Sequence, residues 1–228
     1  MNTHVPAAVL WDMDGTLIDS EPYWITAETE LCAKFGVAWT HKDGLQLVGN
    51  SLEFSAGVLR ERGVLMPLED IVEHLVGRVT MQVRENTPWM QDAFDLLNAV
   101  LAAGIPCALV TMSYKQLADA LLARVPEAFA VVVTGDEVTN GKPDPEAYLL
   151  AAKRLGVDIT QCVAIEDSPA GVGSALASGA RTIGVRRLIP VKAQPGLNRV
   201  RSLKKLTVAD IREIAVGKVV DEFARRTS

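Results

Sequence analysis

Five short apolar runs, separated by longer stretches with helical periodicity, constrain the fold of this chain more than any other feature of its sequence. The runs are Ala7–Trp11, Pro106–Thr111, Ala130–Thr134, Cys162–Glu166 and Arg181–Val185. Nearly continuous apolar runs bounded by turn residues are typical of strands that are covered on both faces. Strands that alternate with helices join through right-handed crossovers into a parallel sheet. The sequence therefore predicts an α/β fold with an open, Rossmann-like parallel sheet.

A span of about ninety residues separates the first two predicted strands, which is far longer than one crossover requires. Helical patterns fill this span at Glu21–Phe35, Leu52–Arg62 and Leu68–Arg84. We therefore expect residues 18–88 to form an inserted α-helical subdomain, called the cap below, and residues 1–17 and 89–228 to form the α/β core. Both ends of the cap lie beside the carboxyl end of the first strand, so the cap could cover a site there.

Weaker patterns follow the fifth apolar run. Arg199–Leu203 has the composition of a sixth, short strand. An amphipathic helix is expected over Thr207–Ala224, with Thr207 as its N-cap, because Thr accepts a hydrogen bond from the first turn of a helix.

Composition excludes several classes of protein. The 228 residues are 49% apolar and 22% charged, which is the ordinary mix of a soluble globular protein. Lys and Arg number 23 against 28 Asp and Glu, and this net charge of −5 argues against broad nucleic-acid binding. The longest apolar stretch, Leu96–Met112, is broken by Asn98, Gly104 and Pro106, so no membrane span is expected.

The beginning of the chain lacks the positive start and cleavage pattern of a signal peptide. Cys32, Cys107 and Cys162 are odd in number and widely spaced among apolar neighbours, which fits reduced, buried thiols rather than disulfides or a zinc site. We therefore expect a cytoplasmic protein, either a monomer or a small homo-oligomer.

The sequence Asp12-Met13-Asp14-Gly15-Thr16 directly follows the first predicted strand. Both carboxylates are thus expected at the carboxyl end of the sheet, where open α/β folds bind ligands. Two like charges at this spacing repel, and a shared metal ion or a proton kept on one of them relieves the repulsion. A carboxylate can also act as a nucleophile and form an acyl phosphate. A surface turn rich in Asp and Gly is the alternative interpretation.

Three more polar groups follow later strands. Thr111 ends the second strand, where its hydroxyl and nearby backbone N–H groups could bind an anion, although Thr is also a common N-cap. Lys142 lies in a turn stiffened by two prolines, and a rigid position suits a functional group, although a lysine in a loop is usually solvated. Glu166-Asp167 ends the fourth strand with hard oxygen ligands that suit Mg²⁺, although the acidic pair could also cap the helix that follows Pro169.

All four groups are expected at one edge of one sheet. A nucleophilic carboxylate, a second carboxylate, a hydroxyl, a lysine and an acidic pair are the parts that transfer of a phosphoryl group requires. A carboxylate that attacks a phosphate meets repulsion of roughly 4 kcal/mol per charge pair at 4 Å. Mg²⁺ and Lys142 would offset this repulsion. The pattern therefore indicates an enzyme acting on a small phosphorylated molecule.

These motifs, in this order, resemble those of the haloacid dehalogenase superfamily over nearly the whole chain. The stretch from Asp12 to Pro22 and the block Gly141–Pro145 are similar in particular to the β-phosphoglucomutase-like phosphatases, whose helical cap follows the first motif. The resemblance implies Asp12 as nucleophile and Asp14 as general acid and then base. It implies Mg²⁺ on the Asp12 carboxylate, the Asp14 backbone carbonyl and Asp167, with Glu166 nearby. It also implies contacts to the phosphoryl group from Thr111, Lys142 and the backbone N–H groups of Met112 and Ser113.

Two positions depart from the mutases of this branch. Trp24 stands where they carry a His, and Gly44–Ser51, the equivalent of their cap loop, lacks the Arg that binds their second phosphate. We therefore expect a Mg²⁺-dependent phosphatase that hydrolyses a sugar phosphate or similar metabolite through an aspartyl phosphate, with a sugar phosphate mutase as the alternative. A dehalogenase would not need Asp14, and a non-catalytic phospho-acceptor would not need a cap that shields a substrate from water.

Overall fold

The computed structural model describes residues 6–48 and 50–224. Its centre is a parallel sheet of six strands in the order β3-β2-β1-β4-β5-β6. The strands are β1 (Ala8–Trp11), β2 (Cys107–Val110), β3 (Val131–Val133), β4 (Cys162–Glu166), β5 (Arg181–Val185) and β6 (Asn198–Val200). The predicted open α/β fold is confirmed, and β1 occupies the middle of the sheet between β2 and β4.

Helices cover both faces of the sheet, as the apolar runs predicted. Val9 and Trp11 of β1 belong to one apolar cluster, and Ala8 and Leu10 belong to the other, because successive side chains of a strand point to opposite faces. On the first face lie α5 (Gln91–Ala102), α6 (Lys115–Leu122) and α9 (Val208–Ala215). On the second face lie α7 (Glu146–Leu155) and α8 (Pro169–Ser178). The central strands are therefore buried, and their carboxyl ends are fixed relative to one another.

The described residues between β1 and α5 form four helices, in the segment predicted as the cap. They are α1 (Glu21–Lys34), α2 (His41–Leu45), α3 (Leu52–Glu61) and α4 (Leu68–Glu85). The short α2 was not predicted. It begins with a capping box, in which Thr40 and Asp43 each accept a hydrogen bond from the backbone N–H of the other. The longest of the four, α4, packs against α1 and α3 and also against α6 of the core.

The two connections between these helices and the sheet run side by side. Ile18 and Trp89 form an antiparallel bridge. The backbone N–H of Asp19 donates to Pro88 at 2.8 Å, and that of Met90 donates to Leu17 at 2.9 Å. These contacts lie at the predicted boundaries of the cap, and the division into two units there stays a prediction.

The predicted final helix over Thr207–Ala224 is too long. It starts as expected with Thr207 as N-cap, but α9 ends at Ala215 because Gly217 adopts the left-handed conformation, with φ of 107°. The chain then returns to the sheet edge, where Arg199 exchanges backbone hydrogen bonds with Val220 and Glu222. The predicted sixth strand near Arg199–Leu203 is present as β6, shifted toward the N-terminus.

Two predictions about environment can be compared with the described residues. None of the helices there is both long enough and apolar enough to cross a membrane. Cys32, Cys107 and Cys162 are all buried and form no disulfide, as expected for reduced thiols in an apolar interior.

Candidate active site

The polar groups that follow β1, β2 and β4 lie together, because these three strands are neighbours and all run in the same direction. Asp12 and Asp14 leave the end of β1, Thr111 follows β2, and Glu166 and Asp167 complete β4. Gly15 turns the chain directly after Asp14, with φ of +79°. A Cβ at this position would lie only 2.3 Å from Oδ2 of Asp167. Glycine is therefore required both for the turn and for the approach of the β4 carboxylate.

Lys142 connects an acid that follows β1, Asp12, with an acid at the end of β4, Glu166. Its Nζ donates to Oδ1 of Asp12 at 2.7 Å, to Oε1 of Glu166 at 2.5 Å and to the backbone carbonyl of Val110 at 2.9 Å. Burial alone would lower the pKa of Lys142, but the Asp12 and Glu166 carboxylates raise it above its usual value. Lys142 is therefore a permanently charged partner, and it orients the carboxylate of Asp12.

Asp14 has a different environment from Asp12. Three hydroxyls donate to its carboxyl group: Ser20 at 2.5 Å, Ser113 at 2.7 Å and Thr111 at 3.2 Å. Burial raises the pKa of Asp14, and the negative charge of Asp12 adds to the shift, while the Ser20 and Ser113 hydroxyls and the Trp24 indole oppose it. A carboxyl with a raised pKa beside a nucleophile is suited to give and take a proton.

Asp12, Glu166 and Asp167 form a group whose carboxylate oxygens lie within 4.8 Å of one another. Burial and the charge of Asp12 raise the pKa of both Glu166 and Asp167. The side chain of Asp167 accepts a long hydrogen bond of 3.3 Å from Thr16, although it is almost fully buried. Excess negative charge and an under-bonded buried carboxylate suit a hard divalent cation, and Mg²⁺ fits this set of oxygen donors. The Asp14 side chain lies outside the group, so a contribution from that residue would come from its backbone carbonyl.

The residues expected to bind phosphate lie beside Asp14, and in this structure they bond to Asp14 and to one another. The hydroxyls of Thr111 and Ser113 both donate to Asp14, and the backbone N–H of Ser113 donates to Oγ1 of Thr111 at 2.9 Å. Met112 contributes more than its backbone, because its Sδ accepts the backbone N–H of Lys142 at 3.2 Å. The methionine therefore holds the lysine loop against the end of β2.

Sequence reasoning missed several residues that build the site. Tyr148 on α7 donates its hydroxyl to Oε1 of Glu166 at 2.8 Å. Arg187, after β5, donates to the Gly15 carbonyl at 3.2 Å and to both oxygens of Asp92 at 3.1 and 2.7 Å. Burial would raise the pKa of Asp92, but Arg187 and Ser202 hold it at about 2. Tyr148 lies within a helix, and no local signal marked it. Arg187 follows the predicted strand β5 closely, so its place at the same edge of the sheet was a signal that sequence reasoning overlooked.

A cavity of about 110 Å³ lies between the acids of the core and the helices of the cap. Its floor is formed by Asp12, Asp14, Lys142 and Asp167. The cap contributes its polar and apolar side chains, among them Glu21, Trp24, Ile25, Glu28, Leu47, Asn50, Leu52, Ser55 and Leu75. The chemistry at the floor suits transfer of a phosphoryl group.

The chain resembles known proteins along most of its length. A family profile described as haloacid dehalogenase-like hydrolase matches residues 9–185. Hexitol phosphatase A of Escherichia coli is 36% identical over 211 residues, which cover 87% of this chain and 92% of that protein.

Two solved structures show how far the similarity extends in three dimensions. The crystal structure of CbbY from Rhodobacter sphaeroides in complex with phosphate has a TM-score of 0.81 and 28% identity, covering 90% of this chain and 98% of that one. A β-phosphoglucomutase from Clostridium difficile has a TM-score of 0.77 at 23% identity, covering 92% and 96%, and so shares the fold.

Proposed function

Because this chain belongs to the haloacid dehalogenase-like hydrolases, as a phosphoric monoester hydrolase of that family, we propose that it dephosphorylates a small phosphorylated carbohydrate. The observation that carries the proposal is the contrast between Asp12, whose carboxylate accepts from the Lys142 ammonium, and Asp14, whose carboxyl is held by hydroxyls. The similarity to a hexitol phosphatase supports a carbohydrate as the substrate class. The reduced cysteines support the cytoplasm as its location.

In the first step, an oxygen of Asp12 attacks the phosphorus atom of the substrate. The bond between phosphorus and the ester oxygen breaks, and Asp14 gives its proton to that oxygen, so the sugar leaves as an alcohol. Lys142, the Thr111 hydroxyl and the backbone N–H groups of Met112 and Ser113 bind the phosphoryl oxygens during this transfer. Asp12 then carries the phosphoryl group as an acyl phosphate.

In the second step, water attacks the same phosphorus atom and Asp14 takes up the proton that the water loses. The bond between phosphorus and the Asp12 oxygen breaks, inorganic phosphate leaves, and both carboxyl groups return to their starting states. Mg²⁺ would be held by Asp12, Asp167 and the Asp14 carbonyl with Glu166 nearby, where it would neutralise charge on the phosphoryl group and on the acids.

The alternative, a sugar phosphate mutase, has less support. An indole such as that of Trp24 donates a hydrogen bond but cannot accept a proton as an imidazole can. Among the described residues that line the cavity, Lys142 is the one cation, and it is already bonded to Asp12 and Glu166. A mutase needs a cationic group for the second phosphate of its bisphosphate intermediate, and these residues do not offer one.

Phosphorus NMR separates the candidate functions. The enzyme is incubated with a panel of sugar monophosphates, and separately with β-glucose 1-phosphate and a trace of glucose 1,6-bisphosphate, with Mg²⁺ and after verified removal of metal by EDTA. We expect inorganic phosphate from several monophosphates, dependence on Mg²⁺, and no glucose 6-phosphate. Formation of glucose 6-phosphate with little free phosphate would make the enzyme a mutase, and full activity without metal would contradict the proposed metal site.

Two substitutions make this assay specific for Asp12. Asp12→Asn should abolish release of phosphate, because an amide is a poor nucleophile and a poor metal ligand. Asp95→Asn is the matched control, since Asp95 is exposed on α5 and bonds only to Gln91 among the described contacts. Activity of Asp12→Asn within tenfold of the unmodified enzyme would remove Asp12 from the mechanism.

A further inference from the structure

The cap side of the cavity carries a buried acid that the proposed chemistry does not use. Glu28 lies on α1, lines the cavity, and is only 4% exposed. Its Oε2 atom is buried and has no hydrogen-bond partner among the described residues. Leaving a buried carboxyl oxygen unpaired costs about 1–3 kcal/mol or more, so a protein retains such a group where something else satisfies it.

One protein donor, the Trp39 indole, lies near the Glu28 carboxyl group, but no hydrogen bond joins the two in this structure. Gly44 on α2 stands opposite the carboxyl group, and a Cβ there would lie 3.0 Å from Oε2. A larger residue at position 44 would therefore cover the oxygen. Ile25 and Leu75, which line the same cavity, are apolar and cannot hydrogen-bond to it.

The charge on this side of the cavity indicates which ligands it accepts. Glu21 and Glu28 are the ionisable cap residues that line it, and Lys142 on the opposite side is the single cation among the described lining residues. Burial raises the pKa of Glu28 to about 7, against the effect of the nearby Trp39 indole, and burial together with Asp14 raises that of Glu21 to about 8. A second phosphate or a carboxylate would find no cation among the described residues on this side, whereas a hydroxyl can both donate to and accept from a carboxyl group.

We propose that the Glu28 carboxyl group binds a hydroxyl of the substrate far from its phosphate, and that it thereby selects monophosphates of polyhydroxylated carbon chains. Ser55, which is buried and lines the cavity, extends the polar surface on the same side. The inference rests on the proposed function, because it assumes that the phosphate of the substrate lies at Asp12. It adds a specificity-determining residue and excludes bisphosphates from the preferred substrates.

The test compares two substrates that share a phosphate and differ in hydroxyls. Sorbitol 6-phosphate carries the hydroxylated chain, and phenyl phosphate carries none. The measured quantity is the ratio of kcat/KM for sorbitol 6-phosphate to kcat/KM for phenyl phosphate. Glu28→Leu should lower this ratio about 10- to 100-fold, the effect of one hydrogen bond to a charged or strongly polar group. Glu28→Gln, which keeps the shape and one acceptor, should lower it less, by about threefold to tenfold.

Glu30→Gln is the matched control. Glu30 lies on the same helix, pairs with Arg78 at 2.6 Å, and does not line the cavity, so the ratio should stay unchanged. A purely structural role of Glu28 would lower kcat/KM for both substrates equally and would leave the ratio constant, which would overturn the proposal. If Glu28→Leu does not fold, Glu28→Gln decides alone, and an unchanged ratio there would have the same meaning.

Two further substrates test the chemistry of the ligand. A hexose bisphosphate should be hydrolysed at least tenfold less efficiently than sorbitol 6-phosphate, and equal efficiency would overturn the proposal. A preference for phosphoethanolamine would also overturn it, because the acids would then be recognising an ammonium group. Hydrolysis of phenyl phosphate without preference for the polyol would end this inference and leave the phosphatase assignment in place. Absence of hydrolysis with every substrate would overturn both.

Discussion

Asp12 and Asp14 carry the same functional group two residues apart, and their hydrogen bonds distinguish them. Asp12 accepts from an ammonium group that is itself buried. Asp14 accepts from neutral hydroxyls, and burial raises its pKa. The same side-chain type can therefore serve as the anion that attacks and as the acid that protonates.

This division of roles predicts how the rate depends on the leaving group. Asp14→Asn cannot protonate the departing oxygen, so kcat for a sugar phosphate should fall about 10²- to 10⁴-fold. The loss should be much smaller with p-nitrophenyl phosphate, because p-nitrophenolate leaves without a proton. Steady-state kinetics with both substrates measure the difference, and Asp12→Asn is the comparison that should lose both activities. An equal loss of kcat for the two substrates in Asp14→Asn would contradict a role as general acid.

The residues of the site that were predicted from the sequence share one property. Asp12, Asp14, Thr111, Glu166 and Asp167 all follow or end an apolar strand, so the direction of parallel strands was sufficient to bring them together. Lys142 follows a strand at greater distance and was placed through its stiff loop and the family resemblance. Their roles remain predictions, whereas their proximity is a feature of the structure.

The residues that could not be predicted reach the site from elements whose position depends on tertiary packing. Tyr148 comes from the middle of α7, and Arg187 reaches Gly15 and Asp92 from the loop after β5. The stretch with Ser20 and the position of Trp24 were noted from the family resemblance, but their contacts with Asp14 were not predicted. Nothing within a few residues of Tyr148 indicates that its hydroxyl meets Glu166. Such contacts follow from how helices pack on the sheet, and periodicity alone does not specify that packing.

At the level of whole elements, apolar runs located five of the six described strands, and a weaker pattern located β6 with shifted bounds. Helix signals failed where helices were short or ended early. The capping box of Thr40 and Asp43 was visible in the sequence, but five residues are too few to show the periodicity of α2. The apolar positions beyond Ala215 resemble a continuing helix, and only the conformation of Gly217 ends it.

The start of helix α8 leads to a further prediction, because it packs directly against Glu166. A Cβ at Gly171 would lie 2.0 Å from the carboxyl carbon and both oxygens of Glu166. Gly171→Ala should therefore destabilise the protein by about 1–3 kcal/mol and reduce activity, since Glu166 would have to move and Lys142 with it. Urea unfolding and phosphatase assays measure the two effects.

Gly173 on the same helix provides the control. A Cβ there would have its nearest contact at 3.4 Å from Pro143, which is an ordinary packing distance. Gly173→Ala should leave activity intact and be neutral or stabilising by up to about 1 kcal/mol, because alanine favours the helix. If both alanine variants behaved alike, the close approach of α8 to Glu166 would not be important.

At the scale of the whole molecule, several contacts hold the cap segment against the core. Helix α4 packs on α6, the Arg124 guanidinium donates to the backbone carbonyl of Arg84, and the Tyr114 hydroxyl donates to Glu53 on α3. Burial raises the pKa of Tyr114 to about 12, and the Glu53 carboxylate adds to the shift. These contacts place the cap segment over the cavity in this structure.

Tyr114→Phe removes one of these contacts without changing the packing volume by more than an oxygen atom. A single hydrogen bond contributes about 0.5–1.5 kcal/mol, so weakening the closed form by that amount should raise KM about twofold to tenfold while kcat is retained. Tyr23→Phe is the matched control, because the Tyr23 hydroxyl bonds to Asn86 at the base of the cap and not across the cavity. An unchanged KM in Tyr114→Phe would show that this contact does not favour closure.

The paired connections at Ile18 and Trp89 determine how the cap segment can move. Two segments of the chain that are hydrogen-bonded side by side allow rotation about a single axis more readily than sliding or twisting. A rotation about that axis would always place the same cap residues, Trp24 and Glu28, opposite Asp12. The orientation of the cap segment would then be the same for every substrate. We therefore expect the enzyme to prefer substrates that fit beneath the cap segment in that one orientation.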